Sequence, residues 1–161
     1  MELRNEVARS LPRLLLAILF LAPVANITPC FAGSPDEKAS IEEVKKETAD
    51  LIAALKAYTA DQREEAAQKT RAALGDLDQR IDALEARVDR NWNEMSETAR
   101  TNARETLKVL RQKRIEAAER YGSLKTSSRG AWTQMKKGFS NAYRDLSRAW
   151  QKAQEEFASD G

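Results

Sequence analysis

Apolar residues from position 41 onward recur at alternating steps of three and four positions, the spacing of one face of an α-helix. The first series is Ile41, Val44, Thr48, Leu51, Leu55 and Tyr58. Ser34-Pro35-Asp36-Glu37 precedes it and is typical of a helix start, because serine caps the helix and proline fits its first turn. The pattern predicts a first helix within residues 33–60.

A second capping-box sequence, Thr59-Ala60-Asp61-Gln62, follows this series. It is compatible with a tight reversal of the chain or with an uninterrupted helix, and we favour the reversal. Beyond it the apolar positions resume. They are Leu74, Leu77, Ile81, Leu84, Val88, Trp92, Met95, Ala99, Ala103, Leu107, Leu110, Ala117, Tyr121 and Leu124.

Part of this second series repeats every eleven residues, at Leu77, Val88, Ala99, Leu110 and Tyr121. Eleven residues in three turns is close to the period of a straight helix, so strong left-handed supercoiling is not expected there. The repeat predicts one long, nearly straight central helix over residues 61–125. At a rise of 1.5 Å per residue, a helix from about residue 62 to 121 would approach ~90 Å in length.

A third helix is predicted over residues 127–158. Gly122-Ser123 and Thr126-Ser127-Ser128 mark a break before it, because glycine ends helices and hydroxyl residues cap new ones. Its apolar positions are Trp132, Met135, Phe139, Tyr143, Leu146, Trp150 and Phe157. Lysine and arginine residues lie around the remaining faces.

The fold class predicted from these patterns is all-α: an elongated helical hairpin or coiled-coil bundle, with one long central helix and shorter antiparallel helices. No strand pattern is present, and the chain is rich in strong helix formers. Helices with one apolar stripe are marginal alone and must pair. Folding back near residue 60 sets Val44 opposite about Leu77, and folding back near residue 127 sets Leu146 opposite about Lys108.

This arrangement leaves Leu84, Val88, Trp92 and Met95 without a partner in the same chain. We therefore expect a homo-oligomer in which two chains cross antiparallel at these residues. The crossing would bring acidic side chains of one chain near basic side chains of the other. The residues concerned are Asp76, Asp78 and Glu85, opposite Arg100, Arg104 and Lys108.

Residues 1–32 have the three-part layout of a secretory signal peptide. Arg4, Arg9 and Arg13 precede a short apolar run, and the segment closes on Cys30-Phe31-Ala32. Lipidation at Cys30 is disfavoured because Pro29 stands where such motifs carry a small, flexible residue. We expect a cleaved leader and an exported, periplasmic protein that contains no cysteine.

In the part predicted to be exported, the N-terminal half is acidic and the C-terminal half is basic. Residues 33–97 contain ten Lys or Arg and sixteen Asp or Glu, whereas residues 98–161 contain fourteen and seven. Such a split can steer a partner or attract the molecule to an anionic surface, although charge on helical proteins is most often a solvated face.

The residue types argue against catalysis. The chain has no histidine, its one cysteine lies in the leader, and it lacks a glycine-rich phosphate loop. Asp76, Asp78 and Asp82 lack the loop and glycine of a calcium site. The aromatic residues keep strict helical spacing and are not interleaved with basic ones for stacking on nucleic acid. We expect no enzyme activity, no cofactor, no metal site and no nucleic-acid partner.

One alternative concerns the third helix. An apolar face with Trp, Phe and Leu that is bordered by Lys and Arg also allows a helix to lie on an anionic membrane surface, as in apolipoprotein-like proteins. We favour packing of this face against the long helix. The candidate interaction or packing residues are Leu84, Val88, Trp92, Met95, Trp132, Phe139, Tyr143, Trp150 and Phe157.

Several segments of the chain resemble a family of small exported bacterial coiled-coil proteins known as stress-response proteins. The segments are Ser34-Pro35-Asp36-Glu37-Lys38, Leu55-Lys56-Ala57-Tyr58-Thr59-Ala60-Asp61-Gln62-Arg63, Arg80-Ile81-Asp82-Ala83-Leu84-Glu85-Ala86-Arg87, Tyr121-Gly122-Ser123-Leu124-Lys125, Ala131-Trp132 and Lys136-Lys137-Gly138-Phe139. The resemblance implies a helical envelope protein and supplies no catalytic residues. Together with the residue patterns it predicts a scaffold or chaperone-like protein that acts by contact with an envelope partner.

Overall fold

The computed structural model describes residues 35–159, which form four α-helices and one short 3₁₀ helix. Helix α1 is Pro35–Ala57, α2 is Arg63–Asn91, α3 is Glu97–Lys125 and α4 is Trp132–Ser159. The 3₁₀ helix, Ala60–Gln62, connects α1 to α2. The all-α class is confirmed, with 87% of the structure helical and no strand among the described residues. The predicted signal peptide, with Cys30, lies outside the described residues.

Each helix runs antiparallel to the one before it. Arg80 on α2 donates hydrogen bonds to Glu43 and Glu47 on α1, close to the register predicted for Val44 and Leu77. Arg111 on α3 donates to Glu85 on α2 at 2.9 Å. These pairs fix the directions of the first three helices.

Helix α4 completes an up-and-down four-helix arrangement and contacts all three other helices. Thr106 on α3 donates to Glu156 at 2.8 Å, so α4 runs antiparallel to α3. Counting ten residues along each helix from this pair places Leu146 level with about residue 116. The predicted position beside Lys108 is therefore wrong, because the turn centres near residue 131 and not near 127.

The predicted single central helix over 61–125 is also wrong, because the chain turns at residues 92–96 between α2 and α3. Ser96 begins α3 as its N-cap, with its hydroxyl accepting a hydrogen bond from the backbone N–H of Ala99 at 3.1 Å. Arg100 donates to the backbone carbonyls of Trp92 at 2.9 Å and Asn93 at 3.2 Å, which satisfies groups that the end of α2 leaves without helical partners. Each of the two 29-residue helices is about 43 Å long.

The α1–α2 and α3–α4 connections lie at the same end of the bundle and contact each other. The Thr59 backbone N–H donates to the side-chain oxygen of Gln62 at 3.1 Å, the returning bond of the predicted capping box. Arg63 donates to the carbonyl of Ser127, and Arg129 forms an ion pair with Asp61. These contacts tie both turns together.

One continuous core fills the space between the helices. Its largest fully buried side chains, apart from Thr70 and Ser147, are apolar or aromatic. They are Leu55, Ile81, Leu110, Leu124, Phe139, Leu146 and Trp150. At roughly 1.5–3 kcal/mol for each large apolar side chain removed from water, this shared core supplies the main driving force for folding.

Candidate binding groove between the first and fourth helices

Most of the sequence-predicted interaction residues lie inside the bundle. Six of the nine are buried, namely Leu84, Val88, Trp132, Phe139, Tyr143 and Trp150, and three are half-buried, namely Trp92, Met95 and Phe157. Leu84 and Val88 are therefore covered by their own chain. An antiparallel crossing of two chains is not needed to cover Leu84 and Val88, so these residues give no support for a homo-oligomer.

Trp92 packs locally at the α2–α3 turn. The guanidinium carbon of Arg104 lies 4.7 Å from the centroid of its ring, and that of Arg100 lies 5.9 Å away. Both distances fall within the range of cation–π contacts. This side chain therefore stabilises the turn that brings α3 back along α2.

Three acidic residues of α2, namely Asp78, Asp82 and Glu85, form ion pairs within the chain. Arg114 lies 2.8 Å from Asp78 and 2.9 Å from Asp82, and Arg111 lies 2.9 Å from Glu85. Burial alone lowers the pKa of Arg114, but the two carboxylates outweigh it and raise that pKa. Among the described residues no three Asp, Glu, His or Cys side chains are grouped to hold a metal.

Two polar groups lie deep in the core on α4. The hydroxyl of Tyr143 donates to the carbonyl of Ala73 at 3.2 Å. Burial, aided by the negative charges of Glu47 and Asp76, raises the pKa of Tyr143 to about 12. The indole nitrogen of Trp150 is buried and has no hydrogen-bond acceptor within the described part of the chain.

An open groove of about 550 Å³ runs between α1 and α4 on the outside of the bundle. The two helices are antiparallel, and the Thr48 and Ser147 hydroxyls lie 2.9 Å apart across them. Its α1 side is formed by Lys45, Thr48, Ala49, Ile52, Ala53 and Lys56, and its α4 side by Arg144, Ser147, Arg148 and Gln151. We call this feature the α1–α4 groove.

The floor of the α1–α4 groove combines hydroxyl groups with apolar surface. The side-chain amide of Gln151 donates to the Ser147 hydroxyl at 2.9 Å, and that hydroxyl also shares a hydrogen bond with Thr48. Ile52 is buried beside Ala49 and Ala53, which are exposed. Thr48 donates to Ser147 and both side chains are buried, so this hydrogen bond joins α1 to α4 beneath the groove.

The rim of the groove carries four cations. Lys45 forms a hydrogen bond with Glu42 at 2.6 Å, which is the largest cause of its raised pKa. Arg144 donates to the amide oxygen of Asn141 at 3.2 Å. Within the described chain, Lys56, Arg144 and Arg148 form no ion pair, so the rim is positively charged along most of its length.

Sequence reasoning missed the groove because its two sides come from opposite ends of the chain. The local signal for a groove is the pair Ala49 and Ala53. They lie on the same face of the helix, and their small side chains leave space there. That face meets Arg144 and Arg148 only through the pairing of α1 with α4, which the sequence pattern does not specify.

Comparison with known proteins adds no relative. No protein-family model, curated protein or solved structure matches the chain.

Among the described helices, none combines the length and the apolar character needed to cross a membrane.

Proposed function

We propose that this chain is a non-enzymatic, exported helical protein that acts by contact with other proteins of the cell envelope. The observation that carries the proposal is the position of the aromatic face of α4. Phe139 is fully buried and Trp150 is 1% exposed, so this face already stabilises the bundle. What remains for recognition is the charged outer surface, with the α1–α4 groove as its concave part.

The resemblance to exported stress-response coiled-coil proteins, drawn from short segments of sequence, supports the same compartment and the same kind of role. A scaffold or chaperone-like protein needs surfaces that bind a partner while its core residues stay packed. A bundle whose apolar residues pack internally while its polar faces stay in water meets that requirement.

Tryptophan fluorescence tests the proposal. The protein from residue 33 onward, which contains all four described helices, is titrated with anionic phosphatidylglycerol vesicles at low and at physiological salt. Trp92→Phe removes the half-buried tryptophan, so that the signal reports Trp132 and Trp150. We expect emission that is already blue-shifted and indifferent to vesicles. A blue shift that appears only with vesicles would overturn the contact proposal.

A second candidate function is reversible binding to an anionic membrane surface through α4. It is favoured by the buried indole N–H of Trp150, since an unpaired buried donor is costly and would gain a partner at a wet interface. The exposed Lys137, Arg148 and Lys152 of α4 would face the lipid head groups. This function requires α4 to leave the bundle, whereas the contact function does not.

A further inference from the structure

We infer that the α1–α4 groove is a docking site for an acidic amphipathic helix of a partner protein. This inference rests on the proposed contact function and gives it a binding surface and a partner chemistry. Three features of the groove carry it: its charge, its length and concave shape, and the chemistry of its floor.

Charge complementarity selects an acidic partner. The rim holds Lys45, Lys56, Arg144 and Arg148, and no carboxylate side chain lines the groove. The carboxylates of Glu42 and Glu155 act on Lys45 at one end of the groove. Lys56, Arg144 and Arg148 remain for an occupant, so a partner that presents carboxylates along its length would meet three cations.

The positions of the cations along the groove match a helix. Thr48 and Ser147 lie opposite each other across the groove. At a rise of 1.5 Å per residue, Arg148 lies about 1.5 Å from that point towards the Lys45 end, and Arg144 about 4.5 Å from it towards the Lys56 end. Lys45 and Lys56 mark the two ends, about 16 Å apart. This length accommodates about three turns of helix. A concave groove between two helices fits the convex side of a third helix, whereas a flat bilayer surface would touch only its edges.

The floor suits the side chains such a helix would insert. Ile52 and the two alanines offer apolar surface to a leucine or alanine face. The cations of the rim can then pair with carboxylates at the edge of that face. An amphipathic helix with an acidic flank beside a small apolar face satisfies both parts of the groove.

A peptide titration tests the inference. The probe is a fluorescein-labelled helical peptide of about four turns, built from Glu-Leu-Ala-Ala repeats, and the matched peptide carries Gln at every Glu. The protein from residue 33 onward is added and anisotropy is recorded. The test variant is Arg144→Glu with Arg148→Glu. The control is Lys108→Glu with Lys137→Glu, which makes the same change in net charge on exposed residues outside the groove.

We expect the Glu peptide to bind the wild type and the control within about twofold of each other, and the groove variant to lose at least about tenfold in affinity. Ala49→Phe, which fills the floor without changing charge, should weaken binding similarly. Circular dichroism spectra verify that each variant folds. If the double variant does not fold, the affinity of Ala49→Phe decides the test. Equal binding of the Gln peptide, or equal loss in groove variant and control, would overturn the inference.

The two proposals fail in distinguishable ways. Absence of peptide binding overturns the groove inference, but leaves the contact function to the vesicle experiment. Vesicle binding that Arg144→Glu with Arg148→Glu abolishes would overturn both, because the same cations would then serve lipid head groups.

Discussion

The indole N–H of Trp132 donates a hydrogen bond to the backbone carbonyl of Tyr58 at 3.0 Å. The ammonium group of Lys136 donates to the same carbonyl at 2.6 Å and lies 5.5 Å from the centroid of the Trp132 ring. The first turn of α4 thus caps the carbonyl groups at the end of α1, which lack helical partners. This link joins the two helices at one end of the α1–α4 groove.

Replacement of Trp132 by phenylalanine should test this link. The change removes the indole donor and part of a side chain that is 3% exposed, so we expect a loss of about 1–3 kcal/mol in the free energy of unfolding. Urea denaturation followed by circular dichroism measures it. Lys137→Met, at an exposed position of the same helix, should change stability by less than about 0.5 kcal/mol. Equal stability of both variants would contradict the link.

Ser96→Ala distinguishes the observed turn from a continuous helix by the sign of its effect. In the structure the Ser96 hydroxyl caps α3, so its loss should cost about 1 kcal/mol. In an uninterrupted helix the same change would stabilise slightly, because alanine is the better helix former. Thermal and urea unfolding measure the difference. Ser123→Ala, at an exposed position within α3, is the matched control, and a stabilising Ser96→Ala would contradict the turn.

Adjacent positions on α3 test the core. Leu110 is fully buried, whereas Val109 is 54% exposed. Leu110→Ala should cost about 2–5 kcal/mol through lost burial and the cavity left behind. Val109→Ala should stay within about 0.5 kcal/mol of the wild type. Urea denaturation of both variants gives the comparison, and similar costs at the two positions would show that α3 is rotated from the orientation described.

The buried hydroxyl of Tyr143 should make stability depend on alkaline pH. Its pKa is raised to about 12 in the folded protein, mainly by burial, against about 10 in the unfolded chain. Above pH 10 the unfolded state releases this proton while the folded state retains it. The stabilisation is therefore complete below pH 10 and is lost as pH rises towards 12, by about 2–3 kcal/mol in total.

Tyr143→Phe isolates this effect, because lysine titration is common to both proteins and cancels in their difference. At neutral pH the variant should be less stable by about 1 kcal/mol, since the hydrogen bond to Ala73 is lost. The difference should shrink and then reverse between pH 10 and 12. Urea unfolding at a series of pH values measures it, and a pH-independent difference would contradict a buried hydroxyl.

A homo-oligomer remains a prediction from the sequence, now without support from Leu84 and Val88. Both lie in the core of one chain, at 2% and 3% exposure. An oligomer would need another surface, such as the exposed Val109 and Ile115 of α3. Light scattering at micromolar concentration decides this: a mass equal to one chain would contradict the prediction. A larger mass that Val109→Lys with Ile115→Lys reduces to one chain would locate the interface.

The break between α2 and α3 could not be predicted from the spacing of the apolar residues. The inward positions of both helices continue the same spacing across the turn, from Val88 to Ala99, so periodicity alone does not reveal it. The local signals were Asn91, Asn93 and Ser96, residues that favour caps and turns over helix interiors. They outweigh the repeat because reversal lets α3 bury its stripe against α2 and α4.

The sequence by itself determined the all-α class, the faces that enter the core and the capping sequence at Thr59, because these depend on spacing and on contacts between near neighbours. Only the tertiary structure decided that the long apolar series divides into two antiparallel helices and that α1 meets α4 to form a basic groove. It also decided that three acidic residues of α2 pair with Arg111 and Arg114. Those outcomes depend on which helices pack together and in which register, and the free energy of that packing comes from residues far apart in the chain.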